Sequence, residues 1–192
     1  MAHKNYAPIL GALVETTTTT FIGESHLKAL LSMSQEQLDK TFGFKTIRML
    51  TDAFVAVAKE KNIPLYYNNE YGVEEDIFTW MPNAQVIEGD AGGVITMLEK
   101  TTTEKEMLET ALKLPLSQAI ERMTTELKNG YFSKNLKWLV IYLTDTNSEG
   151  GPLELVCRLR DGGLRLCVGR VNSGSAWRVD DGREVGFLSN VA

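Results

Sequence analysis

The stretch Leu153–Val168 constrains the fold more than any other part of the chain. Leu153, Leu155, Cys157 and Leu159 occupy alternate positions, Leu164, Leu166 and Val168 do the same, and Asp161-Gly162 lies between the two sets. Successive side chains of a strand point to opposite faces, so each set lines one face. Asp-Gly suits the tight hairpin turn, whose two central residues both need positive φ. A two-residue turn sets Arg160 opposite Gly163. Counting outward pairs Leu159 with Leu164, Cys157 with Leu166 and Leu155 with Val168, and every apolar position then shares one face. A three-residue loop would bring the cysteines opposite each other, but would set Arg165 against the apolar side. The first register is the expected one. It puts Cys157 and Cys167 on opposite faces, where disulfide geometry is out of reach, in keeping with a reducing compartment.

The same register gathers charge on the other face. Arg158, Arg160 and Arg165 fall there, with Arg158 directly across from Arg165. Like charges opposed on a ladder destabilise it unless an acidic group sits between them. Glu154 or another acidic side chain is the expected source. The bias continues beyond the hairpin: six of the eight arginines lie at or after Arg158, and no lysine follows Lys137. Arginine suits planar, two-pronged contact with carboxylate or phosphate. Arg158, Arg160 and Arg165 are the candidate partner-binding residues, against the competing reading of an ordinary solvated sheet face with ion pairs within the chain.

Other segments complete an α+β pattern. Trp138–Thr144 is a mostly apolar run of strand length, suited to burial on both faces. Asp181-Gly182 suggests a second hairpin joining Ala176–Asp180 to Arg183–Leu188. An antiparallel β-meander is expected over about 137–190. Helices are expected mainly within 24–128, packed on that sheet. Ile47, Leu50, Phe54, Val57 and Ala58 recur at helical spacing, and Asn62 and Pro64 mark the stop. Ser34-Gln-Glu-Gln37 and Thr103-Glu-Lys-Glu106 are capping-box patterns. Leu116, Ile120, Met123 and Leu127 form an apolar stripe, and Pro115 just before it implies a kink or two helices. Leu10–Ile22, with its run Thr16–Thr20, reads as extended because β-branched residues resist helix. Leu65–Tyr67 reads as a short strand. Ala84–Ile87 and Val94–Leu98 flank a glycine-rich turn, as a hairpin or a strand-to-helix junction. The organisation expected is one domain over 1–192, divisible into a mainly helical lobe, 1–130, and an antiparallel sheet, 131–192.

Composition narrows the classes. An apolar fraction of 43% over 192 residues excludes a wholly disordered chain. The net charge of −5 argues against non-specific binding to nucleic acid or anionic lipid. No apolar run approaches the ~20 residues that span a bilayer. Lys4 and the apolar stretch Ala7–Val14 lead into Glu15 and threonines rather than a small-residue cleavage site, so cytoplasmic synthesis is expected, with incorporation into a larger assembly left open. Two cysteines and two histidines cannot build a four-cysteine zinc site, and their order does not fit a zinc finger.

Catalytic patterns are weak. Ser25 and His26 are sequence neighbours, which seldom point at each other, and Leu27 stands where a nucleophile elbow needs glycine. Gly89-Asp-Ala-Gly-Gly93 lacks the Lys-Ser/Thr of a phosphate loop. Glu70, Glu74, Glu75 and Asp76 could ligate a hard cation but lack calcium-loop spacing. No cofactor motif is present, and the aromatics Tyr66, Tyr67, Tyr71, Phe78 and Trp80 suit a core and an interface equally. The expected function is a non-catalytic protein-interaction or assembly component, which self-associates or docks into a complex such as a virion or other particle. The competing expectation is a small metal-assisted hydrolase using the acidic residues of the 70–76 loop, or His26.

Overall fold

The computed structural model describes residues 32, 47–66, 77, 81, 84, 86–87, 89, 92–133, 137–146, 150–160, 163–179 and 183–190. The extended run at 10–22, Ser25–His26, the Ser34 cap and the acidic residues of 70–76 lie outside these. The chain divides into two compact units, 1–46 and 47–192, and the second holds the sheet and the helices packed on it.

Helix α1, Ile47–Glu60, buries Ile47, Leu50, Phe54, Val55, Val57 and Ala58 on one stripe. It ends where Asn62 takes φ 55°. The Ile63 amide then donates to Ala58 O at 2.9 Å and the Asn62 amide to Lys59 O at 3.0 Å, closing two carbonyls that the helix end would otherwise strand. Strand β1 is Val94–Met97 and β2 is Thr102–Thr103. Helix α2, Glu104–Thr110, opens with the complete capping box: the Glu106 amide donates to the Thr103 hydroxyl, and the Glu106 carboxylate accepts from the Thr103 amide.

Pro115 resolves into two helices. Residues 111–115 leave helical geometry, and α3, Leu116–Lys128, begins after the proline. The break has its own tertiary function. Leu112 N donates to Leu188 O, Leu114 N to Tyr142 O, and Leu116 N to the Asp145 carboxylate at 2.7 Å. The interrupted backbone groups are thus satisfied by the sheet. Helix α3 closes at Gly130, φ 82°, with Tyr131 N donating to Glu126 O.

The strands β3 (Lys137–Thr146), β4 (Pro152–Arg160), β5 (Gly163–Arg170), β6 (Ala176–Trp177) and β7 (Glu184–Ser189) complete the elements among the described residues. The expected α+β class is what forms, and the β4–β5 register is the one the leucine pattern implies: Leu159 pairs with Leu164, Cys157 with Leu166 and Leu155 with Val168. Strands β3, β4 and β5 make an antiparallel meander.

The rest of the sheet departs from a simple meander. Its order is β1-β7-β3-β4-β5, and β7 runs parallel to β3, so the sheet is mixed. The expected Asp181-Gly182 hairpin does not pair its own arms. Ala176–Trp177 pairs with Thr102–Thr103, and β7 pairs with β1 and β3. The reason lies in burial. Val185 and Phe187 are buried on one face of β7 and Leu188 on the other. A strand apolar on both faces gains most from a central place in the sheet, so β7 crosses to the far side of β3 and β1 becomes its outer neighbour.

Both faces of the sheet are covered. Leu139, Ile141, Leu153, Leu155, Cys157, Leu164, Leu166, Val168 and Leu188 share one core with α1 and α3. On the opposite face Val140, Tyr142, Val156, Val185 and Phe187 pack with Met107 and Ala111, beside Trp138 and Trp177. The second layer is built from α2 and the short β2–β6 ladder.

Candidate functional site

The register of β3, β4 and β5 orders this second face into cross-strand rows. One row is Val185, Trp138, Arg158 and Arg165. The next is Phe187, Val140, Val156 and Cys167, and the third is Tyr142, Glu154 and Gly169. Charge lies in the first and third rows, with an apolar row between.

In the first row Arg158 and Arg165 are direct cross-strand partners, as expected from the turn. Both are half-buried. The Arg158 guanidinium lies 5.2 Å from the Trp138 ring centroid, and that of Arg183 lies 5.1 Å from the same ring. The Arg165 guanidinium lies 5.6 Å from the Tyr66 ring. Cationic groups over aromatic faces are held by the ring quadrupole. The third sequence candidate, Arg160, takes the register position opposite Gly163, and its side chain lies outside the described residues. Tyr66 reaches Arg165 because residues 64–66 are pinned to the edge of β5. Leu164 N donates to Pro64 O at 2.7 Å and Tyr66 N to Leu164 O at 3.0 Å. Gly163, φ 115°, permits that approach, since a Cβ there would stand 2.5 Å from Pro64 O.

Glu154 does not sit between the arginines. Four residues along a strand span about 13 Å, and Glu154 lies two rows away, under α2. It is 6% exposed, and its Oε2 has no hydrogen-bond partner among the described residues. Gly169 makes room for it: a Cβ on residue 169 would lie 3.1 Å from the Glu154 Oε1. Above it is Glu104, 4% exposed, whose Oε2 accepts from the Asn172 amide at 2.5 Å. Loss of water, and secondarily the charge of Glu104, push the Glu154 carboxyl up to about 8. Burial also raises Glu104, against a smaller opposing pull from the Asn172 amide. The Tyr142 hydroxyl donates to Met107 Sδ at 3.7 Å. Burial first, and the two carboxyls next, raise its pKa above the usual tyrosine range, and the Trp177 indole lies beside it. Trp177 in turn meets Trp138 edge-on, with centroids 5.5 Å apart.

This buried pair is the feature that sequence reading missed. Glu154 occupies a polar position of an alternating strand, which normally means solvent. The signal that it is covered is Trp177 together with the apolar residues of α2, and only the pairing of β2 with β6 brings these over it. Among the described residues no group of three His, Cys, Asp or Glu side chains could hold a metal ion. No helix among them is long and apolar enough to cross a membrane. No family model, curated protein or solved structure matches the chain.

Proposed function

We propose that this protein is a non-catalytic interaction or assembly component that docks an acidic surface, on a protein partner or a second copy of itself, onto the sheet face bearing Arg158, Arg160 and Arg165. The observation that carries the reading is the direct opposition of Arg158 and Arg165 in a row with Trp138, with guanidinium groups laid over Trp138 and Tyr66. Two cations held side by side repel, and an acidic partner relieves that repulsion. Tryptophan and arginine are also the residues that dominate binding energy at interfaces. The net charge of −5 argues against broad, non-specific attraction to a nucleic acid backbone, so the attraction proposed is local to this face. Cytoplasmic synthesis followed by incorporation into an assembly belongs to the same proposal.

The test is the Arg158→Gln, Arg165→Gln double variant. Its fold should persist, because Leu155, Leu159, Leu164 and Leu166 carry the burial of this hairpin on the other face. Light scattering at low salt should show weaker self-association or weaker binding of an acidic partner than for the parent chain. The gap should narrow as salt is raised, because salt screens the parent's attraction. Unchanged association at low salt would refute the proposal.

A further inference from the structure

The layer over Glu154 is slight. It consists of a two-residue ladder, a seven-residue helix and the 171–175 turn. Its ties to one another are Glu104 N to Ser175 O at 3.1 Å, the Glu104 carboxylate to the Asn172 amide, and the Thr102–Trp177 and Thr103–Ala176 pairs. Glu104 thus ties α2 to the 171–175 turn through both its amide and its carboxylate. The groups facing Glu154 are Tyr142 from β3, Gly169 from β5 and Glu104 from α2, with Trp177 of β6 beside Tyr142. Asn172, in the turn, meets the pair through its amide on Glu104. The charge that acts on Glu154 is that of Glu104, of its own sign.

We propose that Glu154, with Glu104 above it, forms a pH-responsive latch: the cover formed by β2, α2, residues 171–175 and β6 stays seated while Glu154 carries its proton, and lifts when Glu154 ionises, taking Trp177 off Trp138. Two carboxylates in a dry layer are costly, and lifting the cover hydrates both while keeping the ladders of the main sheet, at the cost of uncovering Met107 and the apolar residues beneath it. The step releases one proton to solvent. Because Trp138 lies in the row of Arg158 and Arg165, the latch also governs how much of that row is uncovered. The latch rests on the burial of both carboxyls and the slightness of their cover, and it does not require the docking proposal.

Linkage sets the sign. Both carboxyls are raised in the closed state, and in the open, hydrated state they return to ordinary values. Closing therefore takes up protons, and opening is favoured as pH rises. With Glu154 at about 8 when closed, the open fraction grows up to about tenfold per pH unit between about pH 5 and 8 and levels off above. Glu104 adds in the same direction, and Tyr142 titrates above this window. Hydrogen exchange of the isolated chain reads this directly. After correction for intrinsic exchange, the amides of Glu104 and Trp177 should lose protection across the window, while that of Leu155 in β4 should not. Glu154→Gln, which mimics the protonated acid, should flatten the dependence. Glu104→Gln should keep most of it, because burial outranks Glu104 as the cause of the Glu154 shift. Carbon-13 titration of the Glu154 carboxyl is decisive even if the glutamine variant does not fold. A flat wild-type profile, a Glu154→Gln profile with the wild-type slope, or an ordinary carboxyl titration would each overturn the latch. So would restored protection on adding calcium or magnesium chloride, which would mark a cation site. Association through Arg158 and Arg165 is measured separately, by the double variant at fixed pH, so failure of the latch leaves the docking proposal standing.

Discussion

Replacing Gly186 with alanine should destabilise the protein by about 2 kcal/mol, although alanine is the better residue for an ordinary strand position. Gly186 pairs with Met97 of β1 and Leu139 of β3, so it lies on an interior strand of the sheet. A Cβ added there would collide with the Tyr131 hydroxyl, and would stand 2.9 Å from Ile95 Cγ2 and 3.0 Å from Met97 Sδ. The methionine end can swing away. The tyrosine cannot move freely, because its hydroxyl donates to Trp138 O at 3.0 Å and lies 3.5 Å from Met97 Sδ. Overpacking costs ~1–3 kcal/mol, and loss of the tyrosine hydrogen bond adds ~1 kcal/mol. Against these, the stiffer unfolded chain returns only ~0.4–1 kcal/mol. The steric terms win. A double-mutant cycle with Tyr131→Phe isolates the mechanism. The phenylalanine removes the oxygen that the new methyl meets, so it should cost ~1 kcal/mol alone and much less in the alanine background. Urea midpoints of the four proteins measure this. Additivity within about 0.5 kcal/mol, or a Gly186→Ala protein as stable as the parent, would refute the reasoning.

Global stability should fall as pH rises from about 5 to 8, because the folded state holds a proton on Glu154 that the unfolded chain releases near 4.5. The full shift corresponds to an upper limit of ~5 kcal/mol, reduced by whatever opening of the cover takes up first, and Glu154→Gln should remove the slope in denaturant titrations. Thr103→Ala should cost about 1 kcal/mol and Thr103→Ser almost nothing, since the hydroxyl is what caps α2; equal losses in thermal melts would assign the effect to β2 packing instead. Cys167 should react with a thiol reagent well before Cys157, which is fully buried and whose thiol is pushed up by burial; equal rates under native conditions would contradict the two-faced register.

Elements whose partners are close in sequence were legible from the chain itself. The β4–β5 register needed only a two-residue turn and the requirement that Leu155, Leu159, Leu164 and Leu166 share a face. The Thr103 box and the endings at Asn62 and Gly130 needed only a few neighbouring residues each. The opposition of Arg158 and Arg165 came from the same counting. What tertiary structure decided was every pairing that trades a local contact for a distant one. Asp181-Gly182 is a good turn sequence, yet Trp177 packs edge-on against Trp138 and lies beside Tyr142, and β6 joins β2. Val185, Phe187 and Leu188 need cover on two faces, so β7 takes the centre beside β3. Glu154 stands at a position that alternation reads as solvent-facing. It becomes a buried acid because a helix capped fifty residues upstream lands on it, and burial belongs to the packed whole, which no local pattern encodes.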